Sequence, residues 1–194
     1  MKWFIKNWFN STIFLAVYIT ILLVLFVMKE NFALFLIWIQ LPVYFLHEFE
    51  EYILPGGFTK FFNTKMLGSP KGDWPLTDTV SFWINGSVIF FAFPLSGVLA
   101  TVFGLSFGIW CAYFSFINAF GHVVMTIRFK KYNPGFLVSL LLNIPVAVYT
   151  VYYFILNNLI PESAHIIGTL IGLAVQAVVM IYGFKVMKPK IKNS

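Results

Sequence analysis

Charged residues are scarce in this chain of 194 residues, at only 10% of the sequence, against roughly 25% in an ordinary soluble domain. Hydrophobic residues make up 60% of the chain, and its mean hydropathy is +0.85. This composition excludes a soluble globular domain and predicts an integral membrane protein in contact with the lipid bilayer. The single cysteine, Cys111, lies in an apolar segment, so no intrachain disulfide can form and the redox compartment cannot be inferred.

Six apolar segments are long enough to cross a bilayer, which requires about 20 helical residues. The sequence therefore predicts an all-α, polytopic membrane protein with about six transmembrane helices, forming one integral membrane domain over 1–194. Pro94 is expected to kink the third of these helices. The predicted spans are 11–28, 31–51, 80–101, 105–127, 136–157 and 164–185.

The basic residues are distributed unevenly between the two sides of the membrane. If the six spans alternate in direction, twelve of the thirteen Lys and Arg residues fall on one side and only Lys29 falls on the other. Because cytoplasmic loops are enriched in positive charge, we expect both termini in the cytoplasm and the protein in the cell membrane. The net charge of +6 then reflects anchoring to anionic lipid, and no nucleic-acid partner is expected.

A run of ionisable residues, His47-Glu48-Phe49-Glu50-Glu51, stands at the end of the second apolar segment. A charged side chain at the bilayer centre costs roughly 2.5 to 3.5 kcal/mol, so ionisable groups inside a span indicate a functional site. Residues three and four apart share one helix face, which places His47 beside Glu50 and Glu51. Glu48 points about 100° away from that face and is expected to be solvated.

Two of the predicted helices carry polar residues at helical spacing along one face. Equal stripes on two helices predict that the helices face each other, so His47 and His122 should approach in the cytoplasmic half, near Asn85 and Asn118. Small and polar residues on one side of the fifth helix, including Asn143, are placed to close the site. The stripes are Gln40, Tyr44, His47 and Glu51 in the second helix, and Cys111, Ser115, Asn118 and His122 in the fourth.

These residue types favour a metal centre, because imidazole nitrogens and carboxylate oxygens bind Zn²⁺ at about 2.0 to 2.2 Å. The expected cofactor is a divalent metal, with Zn²⁺ first and Fe or Mn²⁺ as alternatives. The resulting hypothesis is a membrane-embedded metal-dependent enzyme that hydrolyses or modifies a lipid-like or amphipathic substrate near the cytoplasmic leaflet. The predicted ligands are His47, Glu51 and His122, with Glu50 as general base and Asn85 and Asn118 as further catalytic residues.

Three other interpretations remain open at the level of sequence. Paired glutamates in a low-dielectric pocket form an acid/base pair without metal, as in an intramembrane protease or an isomerase. A transporter or ion-binding protein is the second alternative. In the third, the acids of the run are interfacial residues that face water, and the asparagines only join helices by hydrogen bonds, typically worth about 0.6 kcal/mol.

The string His47-x-x-Glu50-Glu51, followed by Tyr52 and by Pro55-Gly56-Gly57-Phe58, resembles the HXXEE-motif family of small bacterial membrane proteins. The resemblance extends to Asn63, to His122 and to the turn Tyr132-Asn133-Pro134-Gly135. It implies a membrane topology and directs attention to His47, Glu50, Glu51 and His122. The family has no established reaction, so the resemblance implies no substrate.

The loop between the second and third spans contains a further amphipathic stretch, at 58–67. Aromatic and aliphatic side chains alternate there with Lys60 and Lys65, which is typical of a short helix lying at the membrane surface. Its position directly after the site is consistent with a lid or a lipid entrance, and equally with a simple surface anchor.

Overall fold

The structure, a computed structural model, describes residues 2–191, and that part of the chain contains helices and no strand. Six of its helices are long and apolar enough to cross a membrane. This confirms the prediction of an all-α protein with six possible spans. The helices are α1 (Trp3–Phe26), α2 (Phe32–Tyr52), a short α3 that combines Phe58–Phe61 with Phe62–Leu67, α4 (Asp78–Phe103), α5 (Leu105–Phe129), α6 (Phe136–Leu156) and α7 (Glu162–Ile191).

The first and last helices extend beyond the apolar segments from which they were predicted. Helix α1 begins at Trp3 and α7 continues to Ile191, so the predicted bounds of 11 and 185 were too narrow. The added turns carry Lys6, Lys188 and Lys190. Because lysine places its apolar stem along the hydrocarbon and its amine toward the headgroups, these residues lengthen a helix that hydropathy alone would end earlier.

Helix α2 is the central element of the bundle. In its most apolar window 61% of residues are buried, compared with 17% in α1 and in α7. One hydrophobic cluster joins it to α1, α4 and α5 through Ala16, Tyr44, Phe93 and Phe114. Since neighbouring helices cover α2 on all sides, the expectation that Glu48 is solvated was wrong: Glu48 is buried, with 1% of its surface exposed.

Helices α4 and α6 change their winding just before a proline. A π-helical turn, Gly86–Ala92, directly precedes the turn with Pro94 in α4, and another, Ser139–Asn143, precedes Pro145 in α6. Proline lacks an N–H and its ring crowds the preceding turn, and a wider π turn accommodates both effects. The disturbance expected at Pro94 therefore takes the form of a π turn, and the equivalent turn in α6 lies at the site described below.

Helix α3 is held in place by the loop that follows it. The side-chain amide of Asn63 donates to the carbonyls of Gly72 and Leu76, both at 2.9 Å, and its oxygen accepts from the Leu76 N–H at 2.8 Å. Phe62 and Leu76 pack against Met187 near the end of α7. The predicted short helix at 58–67 is therefore present, and it is fixed against α7.

If all six helices cross the membrane, both ends of the chain lie on one side, and the basic residues predict that this side is the cytoplasm. A reporter that functions only in the cytoplasm should be active when fused to either terminus. The same reporter inserted after Asn157, between α6 and α7, should be inactive. Activity at one terminus alone would contradict this topology.

Candidate metal centre

The structure brings His47, Glu51 and His122 together inside the bundle. The Nε2 atom of His47 lies 3.5 Å from Glu51 Oε1, and the Nε2 atom of His122 lies 3.3 Å from the same oxygen. Each of the three residues is at most 5% exposed. One potential ligand atom from each lies within 4.8 Å of the other two, so the three could hold a single metal ion.

The two short distances are those expected around a tetrahedral ion. With Zn–N bonds of about 2.0 to 2.1 Å and Zn–O bonds of about 2.0 to 2.2 Å, adjacent ligand atoms stand about 3.3 to 3.5 Å apart. The His47–Glu51 and His122–Glu51 separations of 3.5 and 3.3 Å match this spacing. These two separations are compatible with one ion bound by all three side chains.

The convergence follows from the helices that carry the three residues. His47 and Glu51 are one turn apart on α2, and His122 approaches from α5, with the two imidazole rings 4.6 Å apart and nearly perpendicular. One turn further into the membrane, Tyr44 of α2 stacks on Phe114 of α5 at 5.7 Å. This contact fixes the two polar stripes face to face, as their equal spacing predicts.

The other nitrogen of each imidazole is directed to α6 and the loop before it. The Nδ1 atom of His47 lies 3.3 Å from the Ser139 hydroxyl. The carbonyl of Pro134 lies beside the His122 ring, although the Nδ1 atom of that ring is outside good hydrogen-bond geometry. Histidines that bind metal usually donate their second ring N–H to such a partner, which fixes the tautomer and the ring orientation. Both rings are thus positioned to present Nε2 toward Glu51.

Gly135 closes the site on the side of this loop. It has a φ of +95°, and a Cβ added there would stand 2.8 Å from the Cε1 atoms of both His47 and His122. Glycine is therefore required for two reasons: the left-handed backbone favours it, and the two rings occupy the space that any side chain needs. The sequence indicated a turn here but gave no sign that its backbone touches both imidazoles.

Glu50, which the sequence suggested as a general base, has other partners. Its carboxylate accepts from the backbone N–H groups of Leu137 and Val138, at 2.9 and 2.6 Å, and from the Tyr132 hydroxyl. The first turn of α6 thus uses a side chain from α2 to satisfy its free N–H groups. Desolvation raises the pKa of Tyr132, and its hydrogen bond to Glu50 raises it further, which keeps this hydroxyl a donor at neutral pH.

The substitution Glu50→Gln separates a positioning role for Glu50 from the predicted general-base role. The amide would turn an N–H₂ group toward the N–H donors of α6, so we expect α6 to be held less firmly and the thermal stability to fall. The metal affinity should fall by roughly 10- to 100-fold. Titration calorimetry and thermal unfolding measure these effects. Unchanged metal affinity with lost turnover would instead support the general base, and the exposed Glu162→Gln is the matched control.

The two predicted asparagines line a small internal cavity that reaches Glu51. The cavity has a volume of about 70 Å³, room for roughly five water molecules at 10 to 15 Å³ each. Asn85 donates to the Tyr52 hydroxyl at 3.0 Å, and Asn118 donates to Gln176 of α7 at 3.3 Å. Gln176 was not predicted from the sequence, because a single polar residue in an apolar helix gives no periodic signal.

A second opening reaches His122 between α5 and α7. Its volume is about 160 Å³, and its walls include Asn118, Asn133 and Gln176 together with apolar side chains. Phe58 of α3 covers this region, with its ring 5.6 Å from the His122 ring. Helix α3 therefore contacts the site directly, which a simple surface anchor would not require.

Buried polar atoms without a hydrogen-bond partner among residues 2–191 occur repeatedly at this end of the bundle. Most buried polar groups in proteins are paired, so a concentration of unpaired ones marks a functional site or a bound ligand. They include Glu48 Oε2, Asn118 Oδ1, Asn133 Oδ1 and both side-chain polar atoms of Asn143. All three acids of the run are nearly fully buried, which contradicts the interpretation that they face water.

Comparison with known proteins connects these residues to one family. Residues 38–150 match the model of a family described as a protein of unknown function with HXXEE motif. The uncharacterized protein YrkK of Bacillus subtilis (strain 168) is 50% identical over 56 residues, which cover 28% of this chain and 35% of that protein. The chain thus aligns with about a third of this curated relative. No solved structure matches the chain significantly.

Proposed function

This chain belongs to the family of proteins of unknown function with an HXXEE motif, and we propose that it is a metal-dependent hydrolase embedded in the membrane. The proposed ligands are His47, Glu51 and His122. The observation that carries the proposal is the approach of two imidazole Nε2 atoms to one buried glutamate oxygen, at 3.5 and 3.3 Å. Three protein ligands with a fourth position for water are characteristic of catalytic Zn²⁺ sites, whereas structural sites use four.

Two of the three proposed ligands are imidazoles, which suit Zn²⁺ and Fe, and the third is a carboxylate, which also suits Mn²⁺. We therefore place Zn²⁺ first, with Fe and Mn²⁺ as alternatives. A bound Zn²⁺ ion lowers the pKa of a coordinated water toward 7 and so supplies a nucleophile at neutral pH. The cavity that reaches Glu51 has room for that water. Glu50, whose carboxylate accepts hydrogen bonds from the first N–H groups of α6, would then serve to position that helix.

The residues around the cavity suggest how a substrate would be held. Asn118 and Gln176 present amide groups on one side, and Asn85 and Tyr52 form a hydrogen-bonded pair on another. We propose that Asn118, whose side-chain oxygen is unpaired, binds a polar group of the substrate and that Asn85 orients Tyr52. Under this proposal, Asn118 binds the substrate and Asn85 positions Tyr52, so neither asparagine takes part in the chemical step.

Restoration of activity by metal tests the proposed function. Protein stripped with a chelator should not hydrolyse phosphatidylglycerol, phosphatidylethanolamine or an isoprenyl diphosphate in vesicles, and Zn²⁺ should restore hydrolysis of at least one of them. Glu51→Gln should remain inactive with Zn²⁺, whereas Glu30→Gln, an exposed glutamate in the loop after α1, should behave as the unchanged protein. Bound metal without turnover of any of these lipids would favour a binding or transport role. Turnover after metal removal would favour the paired-glutamate mechanism.

A further inference from the structure

An open apolar groove runs along the outer surface of the bundle between α4 and α7. Its volume is about 560 Å³, and its walls are almost entirely apolar, among them Val80, Trp83, Ala174 and Val178. No other helix of the described residues fills it, and Trp83 and Val178 are 61% and 67% exposed. In a membrane-spanning bundle this surface faces lipid chains.

The dimensions of the groove fit a single leaflet. On α4 it runs from Thr79 to Val88, a rise of about 14 Å at 1.5 Å per residue. That is roughly half of the hydrocarbon thickness of about 30 Å. Its outer end carries the hydroxyl groups of Thr79, at the start of α4, and of Tyr182, three residues before Lys185 of α7. The groove is therefore about as long as one leaflet is deep.

The groove also adjoins the candidate metal centre. Ile84 and Val88 of α4 and Val179 of α7 line both the groove and the internal cavity that reaches Glu51. These three aliphatic side chains are the partition between a lipid-facing surface and a polar, buried site.

We propose that the groove between α4 and α7 holds the hydrocarbon chain of an amphipathic lipid, whose polar group reaches the His47–Glu51–His122 site past Ile84 and Val179. The proposal rests on the proposed function and specifies its substrate class: a lipid drawn from the leaflet in which Thr79 and Tyr182 lie. Because the groove is about as long as one leaflet is deep, we assign it to an acyl chain of a phospholipid. Occupation by an isoprenyl chain instead is an outcome of the test below.

Photocrosslinking in vesicles tests this proposal. Full-length protein is irradiated with phosphatidylglycerol that carries a diazirine in its acyl chain, or with an isoprenyl phosphate that carries the same group, and labelled residues are identified by mass spectrometry. We expect labels concentrated on the groove-facing residues of α4 and α7 with the phosphatidylglycerol probe. Groove labels from the isoprenyl probe alone would overturn the assignment to an acyl chain. Labels spread evenly over the lipid-facing residues of all helices would overturn the proposal.

Variants that place an aromatic ring in the groove provide the matched comparison for the labelling experiment. Ala174→Phe places a ring in the groove and should lower labelling there by roughly tenfold, because a ring and a chain cannot share a close-packed space. Ala177→Phe adds the same ring to an exposed position of α7 that does not line the groove, and should leave labelling unchanged. Ser87→Phe, on the opposite wall, should reproduce the effect of Ala174→Phe.

Metal content, measured on the same samples, separates this proposal from the proposed function. Ala174→Phe should keep its metal and lose hydrolysis. Equal labelling of Ala174→Phe and Ala177→Phe would contradict the proposed lipid-binding groove without contradicting the proposed metal centre. Protein that lacks metal and turnover but shows groove labelling that Ala174→Phe abolishes would support lipid binding and contradict only the proposed reaction.

Discussion

Replacement of His122 with alanine should remove nearly all bound metal from the purified protein. The unchanged protein, purified without chelators, is expected to carry about one equivalent of metal, and loss of one of three protein ligands leaves an open and poorly paired site. Inductively coupled plasma mass spectrometry on protein of known concentration measures the ratio. His47→Ala should have the same effect, because its Nε2 atom approaches the same Glu51 oxygen.

The third histidine of the chain supplies the control for this experiment. His165 lies near the start of α7, where it hydrogen-bonds to the Tyr113 hydroxyl at 2.8 Å, and it does not belong to the His47–Glu51–His122 group. His165→Ala should therefore keep the full metal content. Equal metal loss in His122→Ala and His165→Ala would show that binding is nonspecific and would contradict the site.

The second large effect is expected at Gly135, which contacts both histidines but has no side chain. Gly135→Ala would place a methyl group 2.8 Å from the Cε1 atoms of His47 and His122, closer than carbon atoms approach without displacement. Either both imidazole rings or the loop that carries Gly135 must move. Either change separates the Nε2 atoms of the two histidines from Glu51. We expect metal affinity to fall by roughly 10- to 100-fold, as for the loss of a partner that orients metal ligands.

Gly57 is a matched control for that substitution. Its φ of +93° is nearly the same as the +95° of Gly135, but a Cβ added there meets no atom within 4 Å. Gly57→Ala therefore carries the same cost of a left-handed backbone, of order 1 kcal/mol, without the clash. Metal affinity that falls equally in Gly57→Ala and Gly135→Ala would show that backbone strain alone is responsible, and that Gly135 does not position the rings.

The sequence predicted the six long helices and the approach of His47, Glu51 and His122, because both predictions depend on local periodicity. Six apolar segments of sufficient length indicated the spans. The stripe that includes His47 and Glu51 and the stripe that includes His122 indicated two facing helices, and the structure places them face to face. Each of these signals is contained within one helix.

The contacts that the sequence did not predict join residues far apart in the chain. Glu50 accepts hydrogen bonds from the N–H groups of Leu137 and Val138, and Gly135 touches His47 across more than eighty positions. No spacing rule connects α2 with the start of α6. The burial of Glu48 was missed for a related reason. Helical periodicity shows which way a residue points from its own helix, but it does not show which other helix packs against that residue.

X-ray absorption at the metal edge of the purified protein tests the central claim most directly, because it reports the ligands of the bound ion. A metal held by His47, Glu51 and His122 should show about four N or O ligands at about 2.0 to 2.2 Å, with outer-shell scattering from two imidazole rings. His122→Ala should reduce the imidazole signal in whatever metal remains. A protein with no bound metal, or a metal without imidazole scattering, would contradict the account.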